Sequence, residues 1–171
     1  MSVMTDTPMA PTPSGVDPES WEAACLTVRQ YCGWHIAPSI TETLTLDGPG
    51  GSLLRLPSLY VTAVTEVVNQ GSVVPDPQWS QHGMIRGRWT DRFRGITVSL
   101  THGYDECPAD IVAVLEHMAN QGEAAEAVGV MQSMTAGPFT AQASTASLAG
   151  AVGLSGQHRG VLDRYKLASS P

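Results

Sequence analysis

His102, Asp105, Glu106 and Cys107 fall within one short stretch of the chain. A cysteine nucleophile needs a base to take its proton and an acid to orient that base. Cys107 and His102 supply the first two, and Asp105 or Glu106 the third. Yet the spacing matches no cysteine-hydrolase signature, and a triad is a matter of spatial geometry that spacing does not supply. A structural account of the same residues is simpler. Gly103 permits a turn, Cys107 falls in the N-cap region of a helix, and Pro108 with Asp110 suits its first turn. That account predicts no enzyme and no cofactor. Cys25 and Cys32 lack companions at ligand spacing, so no metal site is expected either.

Two charged groups are also candidates. Arg86, Arg88, Arg92 and Arg94 interleave with Trp89 and Phe93. Such a mixture suits stacking on and neutralising nucleic acid, an exposed hairpin side, or an anchor for an acidic partner. Asp110, Glu116, Glu123 and Glu126 lie in a helical region that has no Lys or Arg of its own. They suit a solvated face, or the lining of a channel that must not hold passing phosphates.

The elements that carry these residues are legible. Asp17-Pro18-Glu19 reads as a helix start, with Asp17 as N-cap and Pro18 at the first position. Trp21, Cys25, Val28 and Cys32 recur on one stripe, and Gly33 closes the helix. Ser39–Leu46 alternates Thr41, Thr43 and Thr45 with Ile40, Leu44 and Leu46, the pattern of a half-buried strand. Further short strands are expected at Leu53–Leu56, Tyr60–Asn69, Ser72–Val74, Met84–Trp89 and Ile96–Thr101. Asp76–Gly83 reads as a loop holding Trp79. The turn at Asp47-Gly48-Pro49-Gly50-Gly51 lacks a following lysine and is a hairpin turn, not a phosphate loop. Pro108–Gly122 is the clearest helix, and helical character extends through Glu123–Met134, weakened at Gly129. A last helix begins at the N-cap Ser155.

The fold class expected is α+β: an N-terminal helix, a small antiparallel β meander or sandwich unit, a central helix, a linker and a short C-terminal helix. Residues 1–16 read as a disordered arm, rich in Pro, Thr and Ser, and residues 17–134 as the core. Residues 135–153 read as a low-complexity linker, and residues 154–171 as a docking helix.

The bulk numbers narrow the function classes. The chain has 171 residues, with 16 Asp+Glu against 9 Lys+Arg, which suits one domain and argues against a sequence-independent duplex binder. No apolar run approaches the ~18 residues of a membrane span, and Met1–Gly15 is not a secretory signal. The 3 cysteines, without a C-x-x-C, suggest reduced thiols. Charge is segregated: Gly95–His158 has acids and no Lys or Arg, whereas Ser80–Arg94 and Arg159–Pro171 are net positive. That pattern suits different partners on different faces.

Four pieces together resemble the head-to-tail adaptor (connector) proteins of tailed bacteriophages, of the actinobacterial siphophage type. They are the Tyr31-Cys32-Gly33-Trp34-His35 helix exit, the strand pair in Pro57–Gly71, the strand-to-helix joint at Ile96–Ile111, and a terminal helix ending Leu162-x-x-Tyr165. The resemblance implies a ring of roughly twelve copies closed by heterologous contacts. It implies a place beneath the portal protein in the virion neck, assembled in the host cytoplasm. A downstream stopper or tail protein would dock on the other side, and genomic DNA would pass through without sequence-specific recognition. It makes Leu162 and Tyr165 portal-docking candidates, with Arg159, Arg164 and Lys166 meeting acidic portal surface. On that reading, deleting Gly153–Pro171 leaves a folded core. The alternatives are a stopper or tail terminator, or a cysteine-dependent hydrolase.

Overall fold

The computed structural model describes residues 7–132 and 154–168, and side chains to Gln121 in the first of these stretches. Helix α1 spans Pro18–Cys32. The Asp17 carboxylate accepts from the Ser20 N–H at 2.8 Å, and Gly33 takes the left-handed conformation at the other end (φ 80), which costs glycine no Cβ clash. Trp21, Cys25, Val28 and Cys32 are all buried, so the stripe read from the sequence is the inward face.

Seven antiparallel strands follow: β1 Ile40–Leu46, β2 Leu53–Arg55, β3 Val61–Asn69, β4 Ser72–Val73, β5 Gln78–Ser80, β6 Met84–Arg86 and β7 Ile96–His102. They form a sheet of order β1-β7-β3-β4 and a smaller one of order β2-β6-β5. Trp79, expected in a loop, lies in β5, where Ser80 and Gln78 pair with Met84 and Arg86. One three-residue strand is too short for alternation to reveal.

Strand β7 is central. Ile96, Val98, Leu100 and His102 point inwards and Thr97, Ser99 and Thr101 outwards. On the outer face Thr41 meets Thr101 at 2.8 Å and Thr43 meets Ser99 at 2.9 Å, the hydroxyl ladder that the threonine alternation of β1 predicts. Strand β3 has register shifts at Thr62 and Thr65. Both threonines donate their hydroxyls across to carbonyls of β7, so the bulges leave the ladder satisfied. The inner side of the sheets forms one apolar core with Leu44, Leu54, Val67, Ile85, Trp89 and Val98 among its members.

A second core lies between the helices. Helix α2 spans Ala109–Gln132 and sets Ile111, Leu115 and Met118 against Trp21, Cys25 and Val28. Residues 7–16, expected as a disordered arm, lie against this layer. Met9 is buried, and the Ala10 carbonyl accepts from the Trp21 indole at 3.0 Å. An apolar Met and a free carbonyl were enough to override the arm's polar composition. Met1–Asp6 and the expected linker Thr135–Gly153 lie outside the described residues.

Helix α3 spans Gly156–Leu162 and passes into a single 3-10 turn at Asp163–Tyr165. Ser155 caps it, in a reciprocal box with His158. The fold is α+β, with a helical layer joined to a two-sheet β-unit.

Candidate functional site

Cys107 and His102 do not form a nucleophile and base. The His102 ring is fully buried, and its Nε2 meets Glu42 Oε1 at 2.8 Å. Glu42 lies on the inward row of β1 with Leu44 and was missed from the sequence, where a lone acid between threonines gave no signal. His102 Nδ1 has no hydrogen-bond partner among the described residues. The Cys107 thiol packs with the helical core and makes no hydrogen bond to His102 among the described residues. Burial, with Cys25 and Asp110 nearby, pushes it up to about 12. Burial likewise raises Cys25 and carries Cys32 to about 12. A thiol so protonated near neutral pH is a poor nucleophile. All three thiols are therefore expected to alkylate slowly in the native protein, half-buried Cys107 fastest, and together on unfolding. Rapid, stoichiometric labelling of Cys107 at neutral pH would contradict this packing.

Asp110 is not free to line a channel. Its carboxylate accepts the Tyr165 hydroxyl at 2.9 and 3.1 Å and Arg164 at 3.0 Å. The positive partner comes from the C-terminal segment, too far along the chain for helix spacing to suggest. Glu116 is exposed, and the side chains of Glu123 and Glu126 lie outside the described residues.

The C-terminal segment, expected as a free docking element, is clasped to its own chain. Leu162 is 0% exposed and belongs to the helical core. The Trp34 indole donates to the Tyr165 carbonyl at 2.6 Å, the Tyr31 hydroxyl to Asp163 at 2.6 Å, and the Leu167 N–H to the Cys32 carbonyl at 2.9 Å. His158 meets His117 at 2.9 Å. Burial and the Asp110 carboxylate raise the Tyr165 phenol to about 12. Leu162 and Tyr165 are thus intramolecular anchors, the reverse of the docking reading. Of the other candidates Arg159 is exposed, Arg164 is exposed but paired with Asp110, and Lys166 is exposed with its ammonium 4.7 Å from the Tyr31 ring centre.

The arginine group is divided as well. Trp89 is buried between the sheets, its indole donating to the Ile85 carbonyl at 3.3 Å, so it is no stacking platform. Arg86, Arg88, Arg92 and Arg94 are exposed, and Phe93 stands 87% exposed between the last two. The loop that carries them is held firmly. Gly48 and Gly50 donate to the carbonyls of Arg92 and Thr90. Asp47 accepts from the Arg94 N–H at 2.7 Å, and the Thr90 hydroxyl accepts from Arg92 and from Gln70.

At the other end of β7 a cavity of about 700 Å³ opens between residues 8–13, Pro38 and the start of α2. Its floor is Met9, Cys107 and Val112, and its rim carries Asp105, Glu106 and Glu116. Among the described residues no three His, Cys, Asp or Glu side chains gather as metal ligands, and no helix is long and apolar enough to cross a membrane.

No protein-family model matches the chain, and no curated protein sequence matches it. Solved structures do share its fold. A chain in the neck of the native gene transfer agent particle, computed with C12 symmetry, matches at a TM-score of 0.52 and 13% identity over 90% of this chain and 82% of that one. A chain in the neck of the empty particle, computed with C6 symmetry, matches at 0.51 and 12% identity over 100% and 95%. The fold of this chain is therefore one also found in the necks of a gene transfer agent particle.

Proposed function

We propose that this chain is a structural component of the neck of a tailed phage or phage-like particle, acting as the head-to-tail adaptor. Copies assemble into a ring beneath the portal protein, extend the DNA channel, and offer a surface to the next neck or tail protein. The observation that carries the reading is the shared fold, which spans almost the whole chain and not a single motif. The raised pKa of the half-buried Cys107 thiol and the engaged His102 support a structural role over a hydrolytic one. Helices α1 and α2 beside the β-unit favour an adaptor over a stopper or tail terminator, which are usually β-dominated.

With the C-terminal anchors turned inwards, the portal and tail partners meet other surfaces. Exposed Arg159 is available to an acidic partner, with Lys166 beside it over the Tyr31 ring, and the firmly held arginine loop offers a second contact. The test is genetic and structural. Eliminating the protein is expected to leave DNA-packaged heads without tails, and a ring of it should sit directly against the portal in wild-type particles. Tailed, infectious particles in its absence would overturn the neck reading. A ring placed beyond a different adaptor would turn it to a stopper.

A further inference from the structure

Two features at opposite ends of β7 have no partner within the described chain and are complementary. One is Phe93, 87% exposed on a loop whose backbone is fixed by Asp47, Thr90 and the Gly48–Gly50 turn. A large aromatic held out in water by a rigid loop loses little further entropy on binding, the property of an interface anchor. Exposed Arg92 and Arg94 flank it, with exposed Arg88 in the same segment, against the two acids Asp47 and Asp91. The other is the apolar cavity floored by Met9, Cys107 and Val112 and rimmed by Asp105, Glu106 and Glu116. At about 700 Å³ it is large enough to take a phenylalanine side chain, and its rim has the opposite charge.

The seven residues of Ile96–His102 separate the two features, about 20 Å of extended strand. One copy therefore cannot fill its own cavity with its own loop. Resting on the neck reading above, we infer that Phe93 of one copy inserts into the Met9–Cys107–Val112 cavity of the next, with Arg92 and Arg94 facing the Asp105, Glu106 and Glu116 carboxylates. Knob and hole lie on different faces, so the contact is head-to-tail. Repeated, it generates a closed ring or an open helix and not a twofold dimer. Opposite charge at the rim sets the register and weakens with salt. The acidic character of Gly95–His158 and the basic character of Ser80–Arg94 then describe two sides of one interface.

The test uses the full chain with Phe93 replaced by photoreactive benzoylphenylalanine, both in solution and in assembled particles. Irradiation is expected to give a ladder of covalent multimers whose cross-links map to residues 8–13, Pro38 or 105–116 of the neighbouring copy. Two charge reversals give an independent arm. Arg92→Glu with Arg94→Glu, and separately Asp105→Arg with Glu106→Arg, are each expected to weaken self-association about 30-fold or more. Mixing the two variants should restore it in alternating copies. All five residues are exposed, so folding, checked by thermal melting, should be unchanged. Multimers cross-linked elsewhere, or no rescue on mixing, would overturn the contact while leaving a ring in the neck standing. Absence of any multimer, with no ring visible in the particle, would bring down both.

Discussion

Removing residues 154–171 is expected to cost the protein its folded state rather than leave a soluble core. Leu162 is fully buried in the helical core that also holds Cys32, Ile111 and Leu115. Its removal also strips Trp34 of the carbonyl that accepts its indole, and Asp110 of both its hydroxyl and guanidinium partners. Leu162→Ala isolates the packing contribution. A buried leucine-to-alanine change costs about 3 kcal/mol, transfer and cavity together, out of a total stability of about 5–15 kcal/mol. For a chain of this length the melting temperature should fall by about 10 °C. Arg164→Ala is the contrast. Its ion pair with Asp110 is two-thirds exposed on the arginine side, and such pairs are worth less than about 1 kcal/mol. Urea titration of the three proteins checks this. A truncated chain that melts cooperatively at the wild-type temperature would show α3 to be an appendage and restore its candidacy as a docking element.

The reversal over α3 shows where sequence reasoning ran short. An amphipathic pattern reveals which side chains seek burial, as it does for Leu162 and Tyr165. It does not reveal whose surface buries them. The surfaces that take them up are Cys32 and Trp34, more than a hundred residues upstream, and Asp110, 55 residues upstream. Local signals did better. The Asp17 cap, the Trp21 stripe and the Gly33 stop are contained within one helix, and each was legible because its physics is local. The alternation of β1 was also legible, whereas its adjacency to β7 in the sheet was not, since about fifty residues and five strands intervene. The Glu42–His102 pair is a consequence of that register and was invisible for the same reason. The arginine loop was read as a unit, but burial of Trp89 splits it, leaving Phe93 as its exposed aromatic.

Arg29→Met is the second change expected to have a large effect, and nothing in the sequence marked this residue. Arg29 lies one position from the apolar stripe of α1 and is 1% exposed. Its guanidinium donates to the His35 carbonyl at 3.0 Å and to the Ala37 carbonyl at 2.6 Å. Burial lowers its pKa from the ordinary arginine value, but the side chain stays charged. The segment it grips turns the chain from α1 into β1, and it is unusual backbone. Ile36 has φ 67, a left-handed conformation that costs a β-branched residue about 1–3 kcal/mol and persists only when its surroundings impose it. From the far side the Tyr104 N–H bonds the Ile36 carbonyl at 2.7 Å. Gly103 there has φ 98, and a Cβ on it would stand 3.1 Å from two carbonyls of the same segment. The helical layer and the β-unit are thus joined through Arg29 on one side and the Gly103-Tyr104 joint on the other. Methionine fills the volume but donates nothing, taking the guanidinium from the Ala37 carbonyl and leaving the His35 carbonyl with the Ala37 N–H alone. The loss should be about 3–5 kcal/mol, since charge-assisted bonds to buried acceptors are worth about 1.5–3 kcal/mol each. Arg29→Lys should recover little of it, because one ammonium cannot reproduce the planar fork that reaches both carbonyls. Chemical denaturation gives the free energies, and near-ultraviolet dichroism of Trp34 reports the segment directly. A loss below about 1 kcal/mol for Arg29→Met would mean that water reaches these carbonyls and that the two layers are held by their apolar cores alone.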